Sequence, residues 1–346
     1  MSFLLTIAKG VALAAALSLT GGIAAAQEKT VLKYSSWFPA THSTNEVLRL
    51  WIAEVERVTE GRVTVEYLPA VVRSPREQFD VVVDGLADLV IVLPGYTPGR
   101  FPVMEIGELP LLVSTDEATL APAFYKLYER DLAAAQPFKG AHLLTIFASA
   151  PTHLASKPGP ITSIEQIKGM KLRAPSATAS MVVDALGAVT VQKPVTEIYE
   201  LASTGIVDGT FFSYGPMISW KTSEIFTNVT VMPGGLGQSV IAFLINQDKW
   251  DGLSEGDRAA ISSVSGEALA QSFGHFWQMD EDVAFAKLAP LAGFNVITAS
   301  DVFLADFQAA IAPVEAAWVA KAKAAGLADP AGALAALRAD LTAAKK

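Results

Sequence analysis

Hydrophobic and polar positions change period several times along the chain, and each change marks an element. Val31-Leu32-Lys33-Tyr34-Ser35-Ser36 alternates and reads as a strand running into the loop Trp37-Phe38-Pro39-Ala40-Thr41-His42. Apolar residues then recur at helical spacing, at Val47, Leu48, Leu50, Trp51, Ile52, Val55 and Val58. Gly61 stops this helix ahead of the strand Val63-Thr64-Val65-Glu66-Tyr67-Leu68. Strand, loop, helix and strand in this order form the unit of a parallel sheet. Ser74-Pro75-Arg76-Glu77 supplies a helix cap and a proline at the first helical position, and the helix runs to Gly85 and Asp88. The continuous apolar run Leu89 to Leu93 reads as a buried strand that delivers Pro94-Gly95-Tyr96 to a loop.

The layout recurs. Glu77, Phe79, Gly85 and Asp88 are matched by Glu197, Tyr199, Gly205 and Asp208, and Pro75 has a counterpart in Pro194. Glutamate to glycine is eight residues and glutamate to aspartate eleven in both sets. The match predicts equivalent helix–turn–strand units in two similar domains. Between the copies, Leu143 to Ser149 reads as a strand and Lys157-Pro158-Gly159-Pro160 as a turn. Ser163-Ile164-Glu165-Gln166 caps a short helix, Met170 to Arg173 is a strand, and Ser176 to Leu186 is a helix. Beyond Asn246 the pattern is helical almost throughout. Ser254 caps one long amphipathic run through Phe276 and Phe285 to about Leu291. A short strand follows at Asn295 to Ile297, then a helix near Ser300 to Ala325 and an alanine-rich tail, 336–346. Such alanine-rich helices brace domains more often than they carry chemistry.

A length of 346 residues exceeds one ordinary core and predicts two domains of roughly 130–160 residues. At the N-terminus, Lys9 precedes an apolar run from Val11 to Leu19, and small residues at Ala24 and Ala26 fit an export-signal cleavage site after Ala26. A short membrane anchor is the rival reading of that segment; no later segment offers ~20 uninterrupted apolar residues. Removing Lys9 with the signal takes the net charge from −9 to −10. So acidic a chain is a poor partner for nucleic acid or an anionic membrane, both of which need a basic patch. Cysteine is absent, which excludes disulfides, thiolate nucleophiles, iron–sulfur clusters and a lipoprotein anchor.

No enzyme motif stands out. His42, His142, His153 and His275 show no metal-ligand spacing, and neither a Gly-x-Ser-x-Gly elbow nor a phosphate-binding glycine loop is present. The sequence therefore predicts no catalytic residue, metal or cofactor, although a carboxylate pair assembled by folding stays open. Arg173 does stand out, at the end of the strand in Met170-Lys171-Leu172-Arg173-Ala174-Pro175. That is where ligands bind in α/β sheets, and a guanidinium holds a carboxylate through two parallel hydrogen bonds. A surface arginine paired with an acidic neighbour fits the sequence equally well. The loops at the other expected strand ends are aromatic: Trp37 and Phe38, Tyr96, then Phe211 and Phe212 before Ser213 and Tyr214, with Trp220 beyond. They read either as walls of a ligand site or as core.

Gly85-Leu86-Ala87-Asp88, Tyr96 to Pro102 with Glu108-Leu109-Pro110, Ile167 to Arg173, Gly205 to Gly209, and Asn246 with Trp250 follow one another across nearly the whole mature chain. This ordered set resembles the DctP-type solute-binding proteins of tripartite ATP-independent periplasmic (TRAP) transporters. The resemblance implies an α/β, type II-like periplasmic binding protein: two domains joined by crossing strands, with long C-terminal helices. Residues 27–148 and 238–278 would form one domain, 149–237 and 279–335 the other. It further implies an organic acid salt-bridged to Arg173, and delivery to membrane permease subunits driven by an ion gradient. ABC-transporter and sensory binding proteins are the alternatives within this fold.

Two departures narrow the ligand. Sialic-acid-type members carry a second arginine where this chain reads Ser149-Ala150-Pro151-Thr152-His153-Leu154, and many relatives have a polar Asn-Pro segment where Phe211 and Phe212 stand here. The expectation is a monocarboxylate with an apolar or aromatic body. Thr152, His153, Ser213 and Tyr214 would offer hydrogen bonds; Trp37, Phe38, Tyr96 and Phe212 would shape the wall. Hinges are expected near 147–150 and 235–239, where Gly234, Gly235 and Gly237 supply freedom.

Overall fold

The computed structural model describes residues 29–112, 116–157 and 159–344; the expected signal segment and Pro158 of the expected turn lie outside them. The first domain is built from β1 (Thr30–Ser35), α1 (Ser43–Val58), β2 (Val63–Tyr67), α2 (Gln78–Val83), β3 (Leu89–Val92), α3 (Glu117–Leu127) and β4 (Ala141–Ala148). The second follows with β5 (His153–Ser156), α4 (Ile164–Ile167), β6 (Lys171–Ala174), α5 (Ala177–Ala185), β7 (Val189–Gln192), α6 (Ile198–Ser203), β8 (Gly209–Phe212), α7 (Tyr214–Ser219) and β9 (Asn228–Val231). The chain then returns through β10 (Val240–Asn246), α8 (Gln247–Gly252), α9 (Glu255–Ser263) and α10 (Gly266–Leu288). It closes with β11 (Asn295–Thr298), α11 (Asp301–Ala324) and α12 (Pro330–Ala343).

A five-stranded sheet has the order β2-β1-β3-β10-β4, and a six-stranded sheet the order β11-β9-β5-β8-β6-β7. In the first, β1 runs parallel to β2 and β3 while β10 is antiparallel to β3; in the second, β6 runs parallel to β7 and β8 while β5 is antiparallel to β8. The two sheets thus share one plan. The repeated residues do the same work in each copy. Asp88 accepts the Lys33 N–H at 2.8 Å and Asp208 accepts the Lys171 N–H at 2.9 Å, each tying a helix–strand corner to the backbone of the neighbouring parallel strand. Gly85 and Gly205 turn the chain there with φ of 67° and 77°, a conformation that disfavours any side chain. The helices α2 and α6 are each only six residues long and are entered through 3₁₀ turns at Pro75–Glu77 and Val195–Glu197. β3 and β8 are buried along their whole length, as strands covered on both faces must be.

The chain passes between the sheets three times, from β4 to β5, from β9 to β10 and, by way of α10, from β10 to β11, and the first two crossings bond to each other. Ser149 N–H donates to the Ser239 carbonyl, and Thr152 N–H to that of Gly237, both at 2.9 Å. Gly237 has φ 111°, and a Cβ there would stand 2.5 Å from the Glu108 carbonyl oxygen, so the crossing requires glycine.

The C-terminal half differs from expectation at two places. The amphipathic run from Ser254 is two helices, α9 and α10, because Gly266 adopts φ 59° and Val264 caps the first helix. The residues expected as a tail continue α12 to Ala343, with Leu334, Leu337 and Leu341 buried and the helix packed on α3. α10 packs on α1, α3 and β4 of the first domain and on α7 of the second. α11 is long and apolar enough to cross a membrane by length and composition. Its Phe303, Phe307, Ile311, Val314 and Trp318 are nevertheless buried at helical spacing, and Trp318 Nε1 donates to the Pro102 carbonyl at 3.1 Å. It braces α5 against the turn at 102–108.

Candidate functional site

Because β1, β3, β6 and β8 lie in parallel groups, their carboxyl ends share a side within each sheet, and ligands bind at such ends in α/β folds. The segments leaving those ends meet around one cleft enclosing ≈ 710 Å³ of atom-free space, mouth included. Trp37 and Phe38 follow β1, Tyr96 follows β3, Arg173 is the penultimate residue of β6, and Phe212 and Ser213 end and follow β8; all six line the cleft.

Arg173 is 2% exposed. Its Nε donates to the Lys193 carbonyl at 2.8 Å, which fixes the guanidinium plane, while Nη2 is buried with no partner. Tyr96 stands against it, and the Tyr96 hydroxyl accepts the Val195 N–H at 3.2 Å. Burial lowers the arginine pKa from its ordinary value and Tyr96 opposes that shift. Among the described residues no carboxylate pairs with it; Glu197 is engaged instead by Lys193 at 2.8 Å. A buried guanidinium without a counter-ion is costly, and a ligand carboxylate supplies the missing charge and the missing acceptor together.

The wall beside it is aromatic. Trp37 stacks on Phe38 with ring centroids 3.9 Å apart and lies 6.5 Å from Trp220, and its Nε1 donates to the Ile91 carbonyl at 3.0 Å. The indole N–H is thereby satisfied within the protein, leaving the ring faces as apolar surface. Phe211 and Phe212 complete this wall.

A second pole is acidic. α3 contributes Glu117, and α10 contributes Asp280 and Glu281. Glu281 accepts the Tyr214 and Gly215 N–H groups at 2.7 and 2.9 Å, and burial pushes its pKa up to about 7 against those bonds and that from Ser213. Burial also raises Asp280, which Ser43 partly offsets. Glu117 is fully enclosed; burial raises its pKa well above the usual carboxylate value and the Glu281 charge adds to this. His42, on the same cleft, is kept neutral by burial, with its pKa lowered to about 4.

The profile of the DctP family, described as bacterial extracellular solute-binding protein, family 7, matches residues 34–322. The chain belongs to this family. Among solved family structures, a TRAP periplasmic solute-binding protein from Bordetella bronchiseptica, with bound (R)- and (S)-mandelate, is 34% identical with a TM-score of 0.85 over 91% of this chain and 99% of that one. A marine metagenome TRAP solute-binding protein specific for aromatic acid ligands, in complex with metahydroxyphenylacetate, is 32% identical with a TM-score of 0.84 over 92% and 100% of the two chains. The outer membrane transporter protein TsaT of Comamonas testosteroni is 30% identical, covering 91% of this chain and 92% of its own length.

Within this DctP-family cleft the residues singled out from sequence divide. Arg173, Trp37, Phe38, Tyr96, Thr152, Phe212 and Ser213 line it, whereas His153 and Tyr214 face a separate groove beside Pro151 and Gly235. His153 pairs with Phe212 in the sheet and so leaves it on the same face, but its ring turns toward Tyr214, 6.2 Å away between centroids, and lines that groove. Tyr214 contributes its backbone N–H to Glu281 rather than its hydroxyl to the cleft. Thr152 donates its hydroxyl hydrogen to the Gly237 carbonyl at 2.9 Å, so only its lone pairs face a ligand. Tyr96 is more than apolar wall, since its hydroxyl steadies Arg173. Sequence reading missed Glu117, Trp277, Asp280 and Glu281. The Asp280-Glu281-Asp282 run after Trp277 is the one local signal, and nothing local marks Glu117, which reaches the cleft only through the packing of α3 on α10.

Proposed function

We propose that this chain is an exported solute-binding protein that captures an aromatic monocarboxylate between its two domains and presents it to the membrane permease of a TRAP transporter. The observation that carries the reading is Arg173: a buried, oriented and unpaired guanidinium at the foot of an aromatic wall. The aromatic acids bound by the Bordetella and marine relatives support the ligand class. DctP-family relatives include a C4-dicarboxylate-binding periplasmic protein of Rhodobacter capsulatus, 27% identical, but the described lining of this cleft offers no second arginine or lysine to pair with a second carboxylate. Export by the N-terminal segment, with cleavage after Ala26 and residence in the periplasm, completes the proposal.

Binding closes residues 27–148 and 238–278 against 149–237 and 279–335 about the paired crossings. Closure removes water from the Arg173–carboxylate pair, which strengthens it, and changes the outer surface that a permease reads. The test is a thermal-shift screen of residues 27–346 against organic acids. A ligand that binds only the folded state at 1,000-fold excess over Kd contributes about 4 kcal/mol. Aromatic monocarboxylates are expected to raise the melting temperature of the wild type and not of Arg173→Ala. A response to no acid, or an equal response of the variant, overturns the reading.

A further inference from the structure

Arg173 and the aromatic wall account for one end of the cleft; the buried polar atoms at the other end have no role in holding a plain aromatic acid. Glu117 is 1% exposed and lines the cleft, yet neither of its carboxyl oxygens makes a well-formed hydrogen bond; the Ala150 N–H lies near enough only to offset part of the burial. Its main chain is firmly placed, because Glu117 N–H donates to Gln278 Oε1 at 2.9 Å and Gly274 lets α3 approach α10 closely. On the same helix, Trp277 also lines the cleft, and its Nε1 is a buried donor without a partner. Buried polar atoms left without partners are costly, so two such groups on residues lining one cavity mark a place built for something that bonds to both.

We propose that Glu117 and Trp277 recognise a hydroxyl group on the ligand, making the substrate class hydroxylated aromatic monocarboxylates. This rests on Arg173 holding the carboxylate. A hydroxyl is the group that fits, because it donates to a Glu117 oxygen and accepts from the Trp277 indole N–H through one atom. Glu281 holds both oxygens on the Tyr214 and Gly215 N–H groups and Asp280 has one oxygen on Ser43, so Glu117 is the most deeply buried acid of the three with the least bonding inside the protein. A ligand ammonium would need a charged Glu117. Full burial next to Glu281 favours the neutral acid instead, which suits a neutral hydroxyl. The two poles come from different elements: Arg173 on β6 has Tyr96, Glu197 and Arg76 around it, whereas Glu117 on α3 has Glu281, Asp280 and the Ala150 N–H. A ligand therefore spans them with its carboxylate at one end and its hydroxyl at the other, the ring lying between.

The test is calorimetric titration of wild type, Glu117→Leu and Glu117→Gln with benzoate, 3- and 4-hydroxybenzoate, 3-hydroxyphenylacetate and 3-(aminomethyl)benzoate. The expected result is that at least one hydroxylated acid binds wild type about tenfold or more tighter than benzoate, in line with one well-made buried hydrogen bond. Glu117→Leu, close in size and lacking both oxygens, is expected to erase that preference while keeping benzoate affinity; Glu117→Gln is expected to keep part of it. Benzoate and the hydroxylated acids binding wild type equally, a preference undiminished in Glu117→Leu, or tightest binding of the aminomethyl acid overturns this inference and leaves the Arg173 reading standing. Failure of every acid to bind wild type overturns the Arg173 reading itself, and this inference with it.

Discussion

Arg173 and Glu108 show two ways in which single buried ionisable groups tune this molecule. Arg173 is buried with Nη2 unpartnered and no carboxylate paired to it among the described residues, so Arg173→Met is expected to melt at or above the wild-type temperature without ligand. Scanning calorimetry of both ligand-free proteins checks this; a clearly lower melting temperature would make the arginine structural. Glu108 is buried where Gly95 and Ser176 meet, at the contact between the turn at 102–108 and the start of α5, and burial pushes its pKa from 4.5 up to about 8. A raised folded-state pKa favours the fold at pH below the unfolded value, and that advantage is lost as pH rises from 4.5 through 8. Wild type is therefore expected to lose stability relative to Glu108→Gln between pH 5 and 9, read by urea denaturation at each pH. A difference independent of pH would show that Glu108 does not titrate in that window. At this scale the sequence revealed Arg173, whose position at a strand end is local. It concealed Glu117 and marked Glu108 only as part of a motif, because the chemistry of both comes from burial among elements distant in the chain.

At the scale of elements, the parallel-sheet units were legible because each turns on local chemistry: an alternating strand, a proline-led cap, a glycine at positive φ. The break between α9 and α10 was not, since Gly266 interrupts an otherwise continuous helical pattern and its left-handed conformation is a matter of packing against Tyr125. The end of the chain was misjudged for a similar reason. Alanine-rich residues after 335 look like a solvated tail, but Leu337 is 0% exposed and Leu341 2%, and Asp340 pairs with Arg130 beyond α3 at 2.9 Å. Leu337→Ala is expected to destabilise the protein by about 2–5 kcal/mol, as large-to-small changes in a packed core do. Chemical denaturation measures it, and a loss near zero would show that α12 is not part of the core.

For the molecule as a whole, one plan used twice explains both the fold and the site. Each copy ties a parallel strand to its helix corner through an aspartate, Asp88 or Asp208, and each sends aromatic residues off the carboxyl ends of its strands. Facing the two ends toward each other makes a cleft, and only the second copy places an arginine in it. Symmetry of spacing made the two-domain plan readable from the sequence, whereas the acidic pole arises from α3 and α10, which lie outside the repeated segments 75–88 and 194–208. The central claim is that the cleft selects a carboxylate through charge on Arg173, and calorimetric titration with benzoate against benzamide tests it most directly. The ring is the same, while benzamide lacks the charge and carries an NH2 donor in place of one acceptor oxygen. Benzoate is expected to bind at least about a hundredfold more tightly, the scale of a desolvated charge pair. Equal binding of the two would contradict the claim, because the aromatic wall alone would then account for recognition.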